Sequence, residues 1–169
     1  ATAALLLSVS TGALAATGLG SVTSMSGSAA TADKAGSVTV NTTMCALELD
    51  DEGKIVSVSF DIAQNKIGFD AAGALTTDLA AEHPTKKELK EGYGMKAASG
   101  IGKEWFEQAE ALEDWCVGKT VEEVVTMPTY DKGDGHHTQV PDDVDLKTGC
   151  TIDVGSFLDA LQKAADNAK

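Results

Sequence analysis

Apolar and polar residues alternate along residues 55–62, and this pattern constrains the fold more than any other feature of the sequence. Such alternation is typical of a strand with one buried face. The inward-facing set is predicted to be Val56, Val58, Phe60 and Ile62. The stretch 50–53 (Asp-Asp-Glu-Gly) is a turn sequence with glycine where a positive φ is needed. Residues 37–49 are apolar enough to form the partner strand, so the sequence predicts an antiparallel hairpin.

The apolar positions within 37–49 change from one face of the predicted strand to the other. One face carries Val38, Val40, Thr42 and Met44, and the other carries Cys45, Leu47 and Leu49. A change of this kind predicts either a β-bulge or a strand that is buried on both faces.

Shorter patterns predict the remaining elements. Strands are expected at 17–24, 66–70 and 74–79, and helices at 85–91, 99–116, 121–125 and from 156 onward. Capping-box spacing begins three of these helices, at Thr85, Thr120 and Ser156. The predicted class is α+β, with an antiparallel sheet and flanking helices. A chain of 169 residues suits one domain, which we place at 17–169.

The first 16 residues form a separate apolar segment without charge. Leu5, Leu6, Leu7 and Val9 precede an Ala-Leu-Ala sequence at 13–15, which resembles the end of a secretory signal. This resemblance predicts an extracellular or cell-surface protein. Alternatively, the alternation of Leu5, Leu7 and Val9 is typical of a strand, and an arm of this kind could pair with the sheet edge of a neighbouring subunit.

Charge and cysteine content exclude several classes of function. The net charge of −13 argues against nucleic-acid binding, which needs clustered Lys and Arg. The three cysteines, Cys45, Cys116 and Cys150, have no CxxC spacing, so neither a zinc site nor a redox pair is predicted. Cys45 and Cys116 are expected to be small buried residues, and the sequence leaves open whether one disulfide forms.

Common catalytic and nucleotide-binding motifs are missing. Neither glycine pair, at 92 and 94 or at 100 and 102, has the third glycine of a dinucleotide fingerprint. Lys103 is followed by Glu rather than by the Ser or Thr of a P-loop. The aperiodic stretch 128–143 contains several Asp and His residues without metal-site spacing, and we predict a solvated loop there.

Two glycine-containing stretches remain, and they resemble a known family. Residues 145–151 (Asp-Leu-Lys-Thr-Gly-Cys-Thr) resemble the flavinylation motif of FMN-binding domains, an Asp followed by Ser/Thr-Gly-Ala-Thr. Such domains occur in the sodium-pumping quinone reductase and in its electron-transfer relatives. Residues 92–96 (Gly-Tyr-Gly-Met-Lys), leading into 101–106, are similar to extracellular flavoproteins of Gram-positive bacteria. Cys150 stands where the family usually has Ala.

The resemblance implies a covalent cofactor and assigns residues to it. In the family a separate flavin transferase uses FAD to link FMN through a phosphoester to the last Thr of the motif, which is Thr151 here. Thr148 and Asp145 would lie in the recognised segment, and Gly149 and Cys150 complete it. The cofactor site would also include Tyr93 and Met95, as packing partners of the flavin ring, with Gly94 and Lys96 beside them. The start of the helix expected near Ser99 would support phosphate or flavin oxygens.

The function that the resemblance implies is extracellular electron transfer between redox donor and acceptor proteins or small acceptors. No catalytic acid, base or nucleophile is predicted, so an electron carrier is expected rather than an enzyme. One alternative is a structural or filament subunit that assembles through residues 1–16, with or without flavin. A second alternative is a binding module with the same fold and no flavin.

Overall fold

The computed structural model describes residues 15–169, and the predictions for residues 1–14 lie outside the described residues. Its elements are β1 (Ala16–Ser28), β2 (Gly36–Leu49), β3 (Ile55–Phe69), α1 (Lys86–Leu89), a 3-10 turn (Lys90–Tyr93), α2 (Trp105–Cys116), α3 (Val121–Val125), β4 (Thr129–Tyr130), β5 (Val140–Pro141) and α4 (Gly155–Asp166). Within this described part, β1, β2 and β3 form an antiparallel sheet in that order, and β4 and β5 form a short ribbon. The α+β class and the antiparallel sheet are therefore confirmed.

The core lies between one face of the sheet and helices α2, α3 and α4. Cys45 and Leu47 of β2 and Phe60 of β3 project into it and are buried. Phe157 of α4 joins the two layers, because its ring lies 5.1 Å from Phe60 and 5.9 Å from Trp105, measured between centroids. Aromatic pairs at these distances stabilise a core beyond the area they bury.

Helix α4 lies unusually close to β1 because both elements carry small residues where they meet. A Cβ placed on Gly20 would lie 2.1 Å from the carbonyl oxygen of Ala160, and a Cβ on Gly18 would lie 1.9 Å from that of Ala164. Ala160 and Ala164 are completely buried. This contact is possible only because the strand has hydrogen atoms in place of side chains at both positions.

Polar groups of α4 and of the residues after it form hydrogen bonds with the backbone along the outer edge of β1. The backbone groups of Thr17 and Lys169 exchange two hydrogen bonds of 3.2 Å. The Asn167 side chain donates to the carbonyl of Leu19 at 3.1 Å, and Lys163 Nζ donates to the carbonyl of Ser21 at 3.0 Å.

The other edge strand, β3, also has side-chain partners for its backbone. Glu113 accepts the N–H of Phe60, and Thr77 Oγ1 accepts the N–H of Gly68 at 2.8 Å.

The predicted hairpin is present, but the prediction that Val56 faces inward is wrong. Val56 is 47% exposed, and Ile55 is buried in its place. The register explains the difference, because Leu49 pairs with Ile55 and Glu48 pairs with Ser57, which leaves Val56 as an unpaired bulge residue. Alternation alone cannot reveal a bulge at the start of a strand.

The change of face in β2 does not mark a bulge, since its register with β3 is regular from 36 to 48. Instead, only one face of the strand is buried. Thr43, Cys45 and Leu47 face the helices, whereas Val40 lines a groove on the opposite face together with Leu79. Neither predicted explanation therefore holds, because the face that carries Val38, Val40, Thr42 and Met44 is exposed or half-buried.

Four other predicted elements are wrong or displaced. Residues 66–69 belong to β3 rather than to a separate strand, and 74–79 contributes only an isolated bridge at Leu75. The helix after Thr85 passes into a 3-10 turn and ends at Gly94, which has a left-handed conformation. Helix α4 begins at Gly155 without a capping box, because its N-cap residue is Val154 and Ser156 lies within the helix. The Ser156 hydroxyl accepts a hydrogen bond from Thr43.

The largest displacement concerns the helix predicted from Ser99, which begins at Trp105. Gly102 has a φ of +64°, which stops a helix from passing through it. The start of α2 is closed by a reciprocal capping box between Glu104 and Glu107. The expectation that a helix N-terminus near Ser99 holds phosphate or flavin oxygens is therefore wrong.

No helix among residues 15–169 is both long enough and apolar enough to cross a membrane.

Candidate functional site

The segment that contains Thr151 is held against the core by two buried anchors. Leu146 and Cys150 are 1% and 0% exposed. Between them the chain makes a tight turn, in which Leu146 O accepts from the N–H groups of Gly149 and Cys150 at 2.7 and 2.9 Å. Because the residue before it is fixed in the core, Thr151 has a defined position at the surface, where it is half-buried.

A buried glutamine determines the orientation of Thr151. Gln108 of α2 is completely buried, and its Oε1 accepts both the Thr151 N–H (2.8 Å) and the Thr151 hydroxyl (3.2 Å). Its Nε2 donates to Ser99 Oγ (3.1 Å) and to Lys103 O (3.3 Å). The amide thus uses all of its hydrogen-bonding groups to connect α2, the 99–103 turn and Thr151.

Thr151 lies at a cleft of about 290 Å³, which we call the acceptor cleft. Its lining residues are Met95, Ala98, Ser99, Gly100, Gln108, Lys132, His137, Thr151 and Ile152. The two glycine-containing stretches singled out in the sequence are therefore adjacent in the structure. The turn that begins at Met95 forms one wall, since Met95 O accepts from the Ser99 N–H at 3.0 Å.

Two basic side chains line the acceptor cleft. Lys132 Nζ donates to the backbone oxygen of Thr151 at 2.7 Å, which places a positive charge beside this residue. His137 Nδ1 lies 2.7 Å from Asp134 Oδ2. The backbone N–H groups of His136 and His137 and the His137 ring hold the pKa of Asp134 well below its usual range, so that carboxyl group is ionised at neutral pH.

The residues assigned to the cofactor by resemblance are only partly brought together. Thr151 and Met95 line the cleft. Gly149 is not among its lining residues, and a Cβ at this position would be 3.0 Å from Ala111 Cβ. The remaining residues are not among its lining: Cys150 is buried in the core, Thr148, Asp145, Gly94 and Lys96 are exposed, and the Tyr93 ring is covered by Lys86 Nζ at 4.9 Å from its centroid.

The sequence did not predict three residues of the cleft, namely Gln108, Lys132 and His137. The special position of Gln108 could have been predicted, because it is a polar residue between Trp105 and Leu112 on the buried side of α2. Lys132 and His137 lie in the aperiodic stretch 128–143, where no sequence pattern predicts which residues face the cleft. Their position depends on the ribbon of β4 and β5, whose strands are only two residues long.

The three cysteines are free and buried, so no disulfide joins them. Burial raises the pKa of Cys45 and of Cys116 to about 12, and that of Cys150 to about 11. They are packing residues, as predicted for Cys45 and Cys116. Among residues 15–169, no group of three His, Cys, Asp or Glu side chains is placed to hold a metal ion.

Part of the chain is similar to a chlorophenol reductase from Desulfitobacterium hafniense. The two sequences are 38% identical over 96 residues, which cover 50% of this chain and 29% of that protein. The chain therefore spans less than a third of the length of this relative. No family model matches the chain, and no solved structure matches it.

Replacing Gln108 with leucine is expected to destabilise the protein by about 1–3 kcal/mol, because the Thr151 N–H and the Lys103 carbonyl lose a buried partner. Urea unfolding followed by circular dichroism measures the change. Gln162→Leu is the matched control, since Gln162 is exposed and its side chain, within residues 15–169, bonds only Asp166 of its own helix. Equal free energies of unfolding for both variants would show that Gln108 does not organise the cleft.

Proposed function

We propose that this chain is an electron-transfer domain that carries FMN, linked by a phosphoester to Thr151 Oγ. The observation that supports this best is the placement of the Thr151 hydroxyl. It is half-buried at the rim of a cleft, held by Gln108, and adjacent to the Lys132 ammonium. Together with the resemblance of residues 145–151 to a flavinylation motif, this placement favours an acceptor hydroxyl over an ordinary surface threonine.

The residues of the acceptor cleft fit the phosphate end of such a cofactor. A phosphodiester on Thr151 carries one negative charge, and Lys132 is positioned to compensate it. Met95 and Ile152 supply apolar contact surface, and methionine sulfur packs favourably on aromatic rings. Ligand cavities usually measure about 300–1,000 Å³. A cleft of about 290 Å³ would therefore enclose one end of FMN and leave the rest accessible to redox partners.

When bound, FMN supplies the capacity to accept and release electrons. The chain fixes the attachment atom and shields one end of the site. The chain as a whole carries a net charge of −13, whereas the acceptor cleft itself is lined by Lys132 and His137 and by no acidic residue. The overall negative charge disfavours an anionic reduced form, so we propose that the protein lowers the reduction potential.

The similarity to part of a chlorophenol reductase supports a redox role for the shared segment. That protein's name describes a reduction. We carry over only this class of chemistry and not its substrate, because the match covers 29% of its length.

We also propose that the protein acts outside the cytoplasm and is modified by a FAD-dependent flavin transferase. The apolar segment 1–16 supports export. Covalent attachment would prevent loss of the cofactor by dilution. The filament alternative depends on the same segment, most of which lies outside the described residues, and it stays a prediction that light scattering of the purified protein can test.

Denaturation separates a covalent flavin from a bound one, and this provides the direct test. The protein is co-expressed with a flavin transferase, unfolded, desalted and examined for flavin absorbance and intact mass. We expect the colour to stay with the polypeptide, and the mass to increase by one FMN less water. A colourless polypeptide of unmodified mass from a host with an active transferase would disprove the proposal.

A further inference from the structure

The hydroxyl of Thr151 is a hydrogen-bond donor in the unmodified chain, and attachment of FMN would remove that donor. Gln108 Oε1 accepts the Thr151 hydroxyl at 3.2 Å and the Thr151 N–H at 2.8 Å. A phosphoester has phosphorus in place of the hydroxyl hydrogen, so Thr151 Oγ would keep its lone pairs and carry no proton. The contact of 3.2 Å would then join two oxygen atoms that can only accept hydrogen bonds. Attachment therefore favours a rearrangement of one of the two side chains.

A flip of the Gln108 amide would lose more hydrogen bonds than it gains. It would turn Nε2 towards the ester oxygen and form one new bond there. It would also remove the acceptor of the Thr151 N–H and the donor of the Lys103 carbonyl, which Nε2 reaches at 3.3 Å. Ser99 could keep its contact, because a hydroxyl donates as well as accepts. Gln108 is completely buried, and a buried polar group without a partner is destabilising. The amide should therefore keep its orientation.

Rotation of the Thr151 side chain is the other way to separate the two oxygens, and the backbone of this residue is held while it turns. Gln108 accepts the N–H, Lys132 Nζ donates to the carbonyl at 2.7 Å, and the preceding residue, Cys150, is buried in the core. The change is therefore confined to the χ1 torsion of Thr151. A move from one staggered rotamer to another is a rotation of about 120°. Because Thr151 is only half-buried at the acceptor cleft, this rotation does not require the core to move.

We propose that Gln108 is a positioning residue for the attached FMN. It keeps the Thr151 N–H in the modified chain and releases only the side-chain oxygen, so the phosphoester turns away from Gln108. This inference rests on the proposed function and deepens it, because it states how the acceptor residue changes on modification. The unmodified and modified chains then differ at this residue by one hydrogen bond and one torsion.

NMR of the isotope-labelled wild-type chain, before and after modification, tests the rearrangement. We expect the couplings that report χ1 of Thr151 to change to those of a different rotamer. The Gln108 amide protons should keep their Overhauser contacts with Ser99, and the Thr151 N–H should stay protected from hydrogen exchange. The side-chain amide of Gln162, which is exposed and bonds Asp166, is the internal control and should not shift. An unchanged χ1, or Gln108 amide protons that lose their contact with Ser99, overturns this inference.

Gln108→Met tests the amide itself, because methionine has nearly the same shape and no strong hydrogen-bonding group. Phosphorus NMR of the modified chains reads the geometry of the phosphoester, and circular dichroism shows which chains are folded. We expect the signal of folded Gln108→Met to move most of the way to that of the unfolded wild type, and Gln162→Met, the matched control, to keep the wild-type signal. A folded Gln108→Met with the wild-type signal overturns the positioning role. The wild-type comparison does not depend on this variant. A wild-type chain that carries no FMN on Thr151 overturns the proposed function and this inference with it.

Discussion

Thr151→Ala is expected to abolish covalent flavin, because no other hydroxyl in the motif is placed at the acceptor cleft. The substitution removes Oγ while Leu146 and Cys150 still hold the segment against the core. Incorporation should fall below detection by intact mass and by absorbance of the denatured chain. Thr151→Ser keeps the hydroxyl and should still be modified.

Thr148→Ala is the most informative companion, since Thr148 belongs to the same motif and is exposed outside the cleft lining. Because Thr148 belongs to the segment that the transferase is expected to recognise, we expect this variant to be modified more slowly but still at Thr151. If flavin were lost in Thr148→Ala and kept in Thr151→Ala, Thr148 would be the acceptor, and the assignment of the acceptor cleft would be wrong. Peptide mapping of the modified wild type identifies the attachment residue independently.

The second large effect is expected from Gly20→Ala, which should destabilise the fold by about 3 kcal/mol or more, the upper range for added volume in a packed core. The new Cβ would lie 2.1 Å from Ala160 O and 2.5 Å from Ala164 N. Both are backbone atoms of a helix, so they cannot move aside as the end of a flexible side chain would. Strand β1 or helix α4 must shift as a unit.

Urea unfolding of Gly20→Ala measures this cost, and Gly92→Ala is the matched control. A Cβ on Gly92 meets no atom within 4 Å, and its φ is not in the left-handed region. The control should stay close to the wild-type free energy of unfolding. A small effect in both variants would mean that β1 and α4 are not packed as closely as the structure has them.

How far the sequence predicts this fold depends on the range of the interactions involved. The hairpin follows from local alternation and a glycine turn, and the Thr85 and Thr120 capping boxes from residues three apart. The Val56 bulge was not predictable, because it depends on pairing with Leu49 across the hairpin. The late start of α2 was also not predicted, because it depends on the left-handed backbone of Gly102 and the predicted start was based on apolar residues alone.

The candidate site shows the same division. The motif predicts Thr151 as the reactive residue, and the two glycine-containing stretches prove to be neighbours. The expectation that Tyr93 packs on a ring has no support from the cleft lining, because Lys86 covers the tyrosine. Gln108 bonds Thr151, and His137 lines the same cleft, although both are distant from Thr151 in the sequence. No local pattern encodes such contacts.

The bonded edges of the sheet bear on how the protein behaves at high concentration. An open edge strand is a template on which other chains aggregate. Here Lys169, Asn167 and Lys163 form hydrogen bonds with backbone groups of β1 between Thr17 and Ser21. Glu113 and Thr77 accept hydrogen bonds from backbone N–H groups of β3. A strand from a second molecule would first have to break these bonds. Truncating the chain before Lys163 should therefore make the protein prone to aggregation.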